Sequence, residues 1–304
     1  MTEKKNSKFI GPLILVSAAM IWGLSFVAQK SGMEYVEGFT FTSIRLFLAT
    51  LTLLPIVIIN RKKHPANLGE DEKKQKNRRT VKGIICVGLC LFVGLNLQQF
   101  AFNYIEAGKV GFLTALYMLL VPIFGLFLKK RPPFTVWIGV ALGVCGLYLI
   151  CMGGAGGGLK LGKGEILTLL CAVAFALHIL VIDSFSDVDS IELSCGQFFV
   201  AGVLSLILML IFEKPNPDGI KSAAITIIYA GVFSSAVAFT FQIAGQKKTE
   251  PALASMLLCL ESVFSVLFSF ILPPHERLAV PEYIGCAIMF IAILIAQIPQ
   301  KNRQ

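Results

Sequence analysis

Residues 241–268, FQIAGQKKTEPALASMLLCLESVFSVLF, repeat the design of residues 101–128, AFNYIEAGKVGFLTALYMLLVPIFGLFL, at an offset of 140 positions. Each stretch opens polar and then runs into a long apolar segment. The identities are few: Leu113/Leu253, Leu120/Leu260 and Phe124/Phe264. Their spacings of seven and four place them on one face of a helix. A duplicated apolar half of this kind points to a membrane protein that works by moving one repeat against the other.

Composition supports the membrane reading along the whole length. Of 304 residues, 56% are hydrophobic and only 15% are charged, with a mean hydropathy of +0.76. Soluble domains are closer to half apolar and a quarter charged. Ten windows are long enough to cross a bilayer, which takes roughly 20 apolar residues per helix. They are 9–29, 39–60, 82–104, 109–128, 133–152, 164–183, 191–212, 222–245, 251–272 and 281–299. The longest polar break, 61–81, reads as a loop or a marginal amphipathic piece. Lys4, Lys5 and Lys8 before the first window resemble the start of a signal peptide. The apolar stretch behind them exceeds the usual core of about 7–15 residues, so a retained first helix is expected.

Charge sets an expected orientation. With the N-terminus in the cytoplasm, 19 Lys and Arg fall on the inner side and 7 on the outer side. That asymmetry favours both termini inside. The segment Arg61–Lys82 alone holds nine Lys/Arg against Glu70, Asp71 and Glu72. No aromatic residue interleaves with it, so the stacking platform of a nucleic-acid site is missing and no such partner is expected. The loop around Asp183–Asp189 is acidic and does not follow the pattern.

Between the fifth and sixth windows lies Gly153-Gly154-Ala155-Gly156-Gly157-Gly158, with Gly162-Lys163-Gly164 beyond it. A phosphate loop would need Ser or Thr after the Lys and a strand before it. The run is instead a flexible linker. It divides the chain into 1–152 and 164–304, with 153–163 between them. Five helices per half is an odd number, so the second half must enter the membrane from the opposite side. The expected fold class is therefore all-α integral membrane, ten transmembrane helices as two inverted five-helix repeats.

Three ionisable residues lie well inside the windows: Arg45, His178 and Glu261. A charge at the bilayer centre costs about 2.5–3.5 kcal/mol, so each is a functional candidate. Glu261 could exchange a proton or hold an ammonium group, and the alternative is a buried acid that fixes packing. Arg45 could bind a carboxylate, pair with an acid or snorkel to the surface. His178 reads as an interior hydrogen-bonded residue rather than a proton relay. No second His or Cys sits at ligand spacing, so no metal is expected.

Two helices also carry polar stripes, Asn96, Gln99 and Asn103 in the third window and Ser235, Gln242 and Gln246 in the eighth. Buried amides need partners, which either a watery cavity or neighbouring helices supply. Trp22 and Tyr117, both mid-helix, are candidates for the same cavity or for ordinary core. The eight cysteines all lie in apolar windows without a CxxC pair, which fits packing rather than a redox or zinc site. Gly139, Gly143 and Gly146 allow close helix approach in the fifth window, within the monomer or at a homodimer face.

Several motifs then carry a resemblance. Trp22-Gly23-Leu24-Ser25-Phe26-Val27 is similar to a WG-x-x-F signature in a first helix, and Ser43-Ile44-Arg45-Leu46-Phe47 to an Arg motif in a second. Ala107-Gly108 through Val121-Pro122 resembles an AG…FLTALY…VP fourth-helix stretch. Leu260-Glu261-Ser262-Val263-Phe264 looks like L-E-P-V-F, and Glu276-Arg277-Leu278 like a G-E-x-L turn. In this order the motifs resemble the drug/metabolite transporter superfamily, specifically its EamA-type branch, over about 9–298. Two departures stand out. Ser262 replaces the expected Pro, which puts a kink in the ninth helix in doubt, and Pro274-His275 stands where a Leu-Gly turn is usual.

The resemblance implies a carrier of small metabolites, commonly amino acids or drugs and often outward. The expectation is a secondary active transporter of the plasma or inner membrane, working by alternating access on a small-molecule substrate, with protons as a candidate coupling partner at Glu261. An amino-acid exporter is the preferred instance and a drug or cation exporter the alternative. No cofactor is expected, and the surrounding membrane lipid is a partner. An intramembrane enzyme would need a nucleophile–base pair or a motif such as HExxH, and neither appears. A scaffold without transport fits poorly with polar residues inside the membrane.

Overall fold

The computed structural model describes residues 2–63, 69–105, 107–152, 162–271 and 280–298. Most of the Gly-rich linker and the whole Pro274–Leu278 motif lie outside the described residues. The described chain forms α1 (Thr2–Gly32), α2 (Gly38–Lys63), α3 (Glu70–Ala101), α4 (Ala107–Ala115), α5 (Tyr117–Phe127), α6 (Phe134–Met152) and α7 (Lys163–Ser184). It continues with α8 (Ser190–Phe212), α9 (Pro217–Ser222), α10 (Ala224–Ile228), a π-helical segment (Tyr229–Phe239), α11 (Thr240–Gln246), α12 (Pro251–Leu258), α13 (Leu260–Ile271) and α14 (Val280–Ala296).

Among the described residues, seven helices are long and apolar enough to cross a membrane, and three shorter apolar helices bring the spans to ten. All-helical backbone is what lipid demands, because no water is present there to satisfy exposed N–H and C=O groups. The fourth span is α4 with α5, the eighth runs from α10 through the π segment to α11, and the ninth is α12 with α13. The short helix α9 joins spans seven and eight.

Two local expectations change. The polar break at 61–81 is partly helix, since α3 begins at Glu70. Its acidic first turn, Glu70, Asp71 and Glu72, faces the positive end of the helix dipole. Lys, Arg and Gln then continue the helix at little cost. At the other end α3 stops at Ala101, so Asn103 sits in an exposed turn rather than on the amide stripe.

The helix packing obeys an exchange of span n with span n+5. Span three lies on span six as span eight lies on span one. Span four lies on span six as span nine lies on span one, and span three meets seven as eight meets two. Spans two and seven pair with each other, as do five and ten. The pairs are antiparallel. Arg61 near the end of α2 bonds Glu192 near the start of α8 at 2.7 Å, while Glu213 just after α8 bonds Phe39 and Thr40 at the start of α2. The two halves are therefore inverted repeats.

Close approach between α6 and α14 uses the fifth-span glycines within the monomer. A Cβ on Gly139 would stand 2.8 Å from the Ala292 carbonyl oxygen, and one on Gly146 2.8 Å from that of Gly285. A Cβ on Gly285 would meet the Gly146 oxygen at 2.6 Å. The glycine face is thus occupied by the tenth span.

Spans four and nine share a second feature. Each is interrupted by one residue of tightened helix, Leu116 (φ −61, ψ −10) and Cys259 (φ −63, ψ −11). Both spots carry i→i+3 pairs, Leu119 N to Leu116 O at 3.0 Å and Ser262 N to Cys259 O at 3.2 Å. The interruptions touch: the Cys259 thiol donates to the Ala115 carbonyl at 3.3 Å. The ninth helix thus breaks without the Pro that Ser262 replaces, and Pro122 lies inside α5 beyond the fourth-span break.

Candidate functional site

A small cavity, with about 50 Å³ of room for water-sized contents, lies where the broken spans face spans one, two, three, six and eight. Trp22, Arg45, Tyr117, Gln242 and Glu261 all line it. The remaining sequence candidates lie elsewhere. Asn96 donates to Ser205 Oγ at 2.9 Å between spans three and seven, and Gln99 donates weakly to the Gln29 carbonyl at 3.5 Å. His178 is fully buried with Nε2 2.9 Å from Gln197 Oε1. Gln246 donates to the Ile179 carbonyl at 3.2 Å, and Asn103 borders a cleft at one end of the bundle with Phe100 and Met33–Gly38.

Glu261 sits in the first turn of α13, immediately after the break. That position gives its carboxylate the positive end of a helix dipole. It is 5% exposed and makes no hydrogen bond or ion pair with the described residues. The approach of span one is what brings it to the cavity wall. A Cβ on Gly23 would lie 3.0 Å from the Glu261 carbonyl oxygen and 2.8 Å from Ser265 N, so only Gly lets α1 come this close. The Trp22-Gly23 pair therefore has two jobs, a ring for the cavity and a gap for the helix carrying Glu261.

Arg45 is 1% exposed and does not snorkel. Its Nη1 donates to Gln29 Oε1 at 2.7 Å and its Nε to Ser235 Oγ at 3.3 Å. Both partners are neutral, and Arg45 and Glu261 make no ion pair with each other. Gln29 is in turn held by Ser25, through Nε2 to the Ser25 hydroxyl at 3.2 Å. Ser25 donates to Ser234 Oγ at 2.8 Å, and Trp22 Nε1 to the Ser234 carbonyl at 2.9 Å. That carbonyl belongs to the π segment, a conformation frequent at functional sites.

Aromatic rings complete the wall. Trp22 and Phe239 pack edge to face at 4.7 Å between centroids, and His178 closes on Phe239 from behind at 5.9 Å. Phe26, Phe175 and Tyr117 also border the cavity. Sequence reasoning missed Ser25, Gln29, Gln98, Thr114 and Ser234. A usable signal existed for two of them, because Trp22, Ser25 and Gln29 recur at three and four, on one face of α1.

Both ends of the bundle are tied across the halves. At the end holding the basic segment, Arg79 grips Asp187 with both Nε and Nη2, the latter to Oδ1 at 2.7 Å. Lys130 pairs with Asp183, and within the second half Lys247 bonds the Val188 carbonyl. The Arg79 guanidinium beside Asp187 holds that carboxyl below the usual carboxylate range. The acidic loop that broke the charge pattern is thus the partner of the basic residues. At the opposite end Lys109 pairs with Glu165, and Glu213 accepts from the Phe39 and Thr40 amides at 2.7 Å.

A bundle of ten apolar spans in inverted halves, enclosing at paired helix breaks a largely apolar cavity that Arg45, Glu261 and a few amides and hydroxyls also line, is the architecture of a membrane transporter. The EamA-like transporter family model matches residues 9–152 and again 162–297, and the chain belongs to that family. Among similar proteins is an uncharacterized transporter of Archaeoglobus fulgidus, 27% identical over 93% of this chain and 84% of that one. Another is the uncharacterized transporter YoaV of Bacillus subtilis, 22% identical over 92% and 94%. The uncharacterized inner membrane transporter YedA of Escherichia coli is 22% identical over 92% and 88%. A crystal structure at 19% identity superposes with a TM-score of 0.77 over 94% of this chain and 96% of that one, showing the same fold.

Proposed function

We propose that this transporter is a secondary active exporter of small amphipathic metabolites, amino acids being the preferred substrates, and that Glu261 couples their movement to protons. The observation that carries the reading is the pair of unspent charges. Arg45 is held only by neutral partners and Glu261 has no polar partner among the described residues, yet both face one cavity. A zwitterion supplies a carboxylate for the first and an ammonium for the second. A proton on Glu261 competes with that ammonium, which is the elementary condition for exchange of one for the other.

The units that rock are 1–152 and 164–304, joined by the linker at 153–163. The ion pairs across the halves would open at one end while those at the other hold. We place the protein in the plasma or inner membrane with both termini cytoplasmic, on the Lys and Arg asymmetry of the loops. A second reading rests on the rings. Trp22, Phe175 and Phe239 beside a carboxylate also suit an organic cation, through cation–π attraction.

Proteoliposomes with an imposed pH gradient test both. Saturable flux of radiolabelled amino acids, competed by other amino acids, supports the first reading, and saturable flux of tetraphenylphosphonium alone supports the second. No saturable flux across a broad panel of either class overturns both.

A further inference from the structure

We propose that the outward face of the first turns of α3 is a binding site for an anionic phospholipid, with Lys74, Arg78 and Lys82 on the phosphate and the stripe below them along an acyl chain. These three cations recur every four residues, so they form one ridge of the helix. All three are exposed and none has an ion-pair or hydrogen-bond partner among the described residues. The contrast is with Arg79, next to Arg78 on the other face, which binds Asp187 and the Ser184 carbonyl and stacks over Phe185 at 5.1 Å. One face of this segment is committed to the protein and the other is left as free positive charge.

The apolar continuation is equally ordered. Below the cations the same face shows Ile85, Leu89 and Val93, exposed by 45%, 45% and 43%. A ridge of cations running into a ridge of aliphatic side chains matches a lipid, whose phosphate and acyl chain are joined in that order. Depth agrees as well. From Lys82 to Ala101 the helix rises about 29 Å, close to the roughly 30 Å hydrocarbon core of a bilayer. Lys82 therefore stands at the edge of the hydrocarbon, Arg78 about 6 Å above it at headgroup level and Lys74 about 12 Å above it, from where its long side chain reaches down. Glu70, one turn beyond Lys74, is the acid on this face and lies at its far end from the bilayer.

The test uses the full chain in neutral detergent and follows its thermal unfolding with added phosphatidylglycerol, phosphatidylcholine or inorganic phosphate. A lipid that binds the folded state raises its stability. The expected result is a melting temperature several degrees higher with phosphatidylglycerol than with phosphatidylcholine at equal concentration, and no such gain with phosphate. The variant Lys74→Gln/Arg78→Gln/Lys82→Gln loses that difference. The variant Lys62→Gln/Lys63→Gln/Lys129→Gln, with the same charge removed from exposed positions elsewhere at that end, keeps it, and so does Lys74→Arg/Arg78→Lys/Lys82→Arg. Equal gains from the two lipids in the native chain, a gain from phosphate matching that from the lipid, or an undiminished difference in the first variant would overturn the proposal.

Discussion

Spans four and nine are the same device carrying different chemistry. Each bends through one tightened residue, Leu116 or Cys259, with nearly the same dihedral angles, and the two bends meet in the Cys259–Ala115 contact. Beyond the bend they part. The ninth span places Glu261 on the cavity wall. The fourth places Tyr117 there and follows it with Met118 and Val121, both buried in the apolar core at 0% and 1% exposure. Counted by the repeat offset the partner of Glu261 is Val121, and counted from the bend it is Met118. Either way the duplication copied the frame and kept the carboxyl in one half only.

Forcing symmetry gives the largest effect. Met118→Glu would bury a carboxylate in core rather than cavity, at a cost of about 2.5–3.5 kcal/mol. We expect a sharp drop in folded yield, and no recovery of transport when it is combined with Glu261→Gln. Size-exclusion chromatography of the detergent-extracted protein reads the first outcome, and normal yield would show that the fourth-span site is wetter than its packing implies. Next is Gly285→Val, which keeps the bends but wedges apart the fifth and tenth spans. Overpacking of this kind costs about 1–3 kcal/mol, visible as a lowered melting temperature. An unchanged melt would mean the two helices yield easily.

Arg45→Ala sharpens the other side of the comparison, the charge that span two contributes opposite Glu261. It strips Gln29 Oε1 of its donor, so part of the effect is structural. The half-saturation for carboxylate substrates should rise about tenfold, or about 1.4 kcal/mol, with Arg45→Lys in between. An equal rise for substrates lacking a carboxylate would make Arg45 a packing residue.

The smallest effect is at the ties across the halves. Asp187, held below its ordinary range by Arg79, lends stability that is present above the unfolded carboxylate value. That stability is lost as pH falls through the depressed folded value. Asp187→Asn should flatten the acid limb of the melting profile and leave neutral pH little changed. An acid limb identical to that of the native chain would show the pair to be inert.

The sequence made the spans legible, because twenty apolar residues in a row leave lipid no alternative to helix. It also marked Glu261 and Arg45, since charge in such a window is costly. The bends are not legible, because neither Leu116 nor Cys259 is a Gly or a Pro and Pro122 lies inside α5. The π segment likewise leaves no mark in Tyr229–Phe239, because a shift from i→i+4 to i→i+5 bonds changes hydrogen bonding without changing composition. Asn103 fell off the stripe because α3 ended at Ala101. Gln29 and Ser25 look like ordinary polar residues in the sequence, because what sets them apart is long-range: Gln29 accepts from Arg45 and Ser25 donates to Ser234. The pairing of Asp183, Asp187 and Glu192 with distant cations is long-range and could not be read from the acidic loop alone.

The central claim is that the carboxyl kept in one half couples transport to protons. Proteoliposomes holding the native chain or Glu261→Gln, loaded with the radiolabelled amino acid that gives the largest saturable flux, test it directly with and without a pH gradient. The account predicts that the gradient accelerates the native flux at least about tenfold and leaves that of Glu261→Gln unchanged, with equal amounts of folded protein in both. A Glu261→Gln flux that still follows the gradient as the native one does would contradict it.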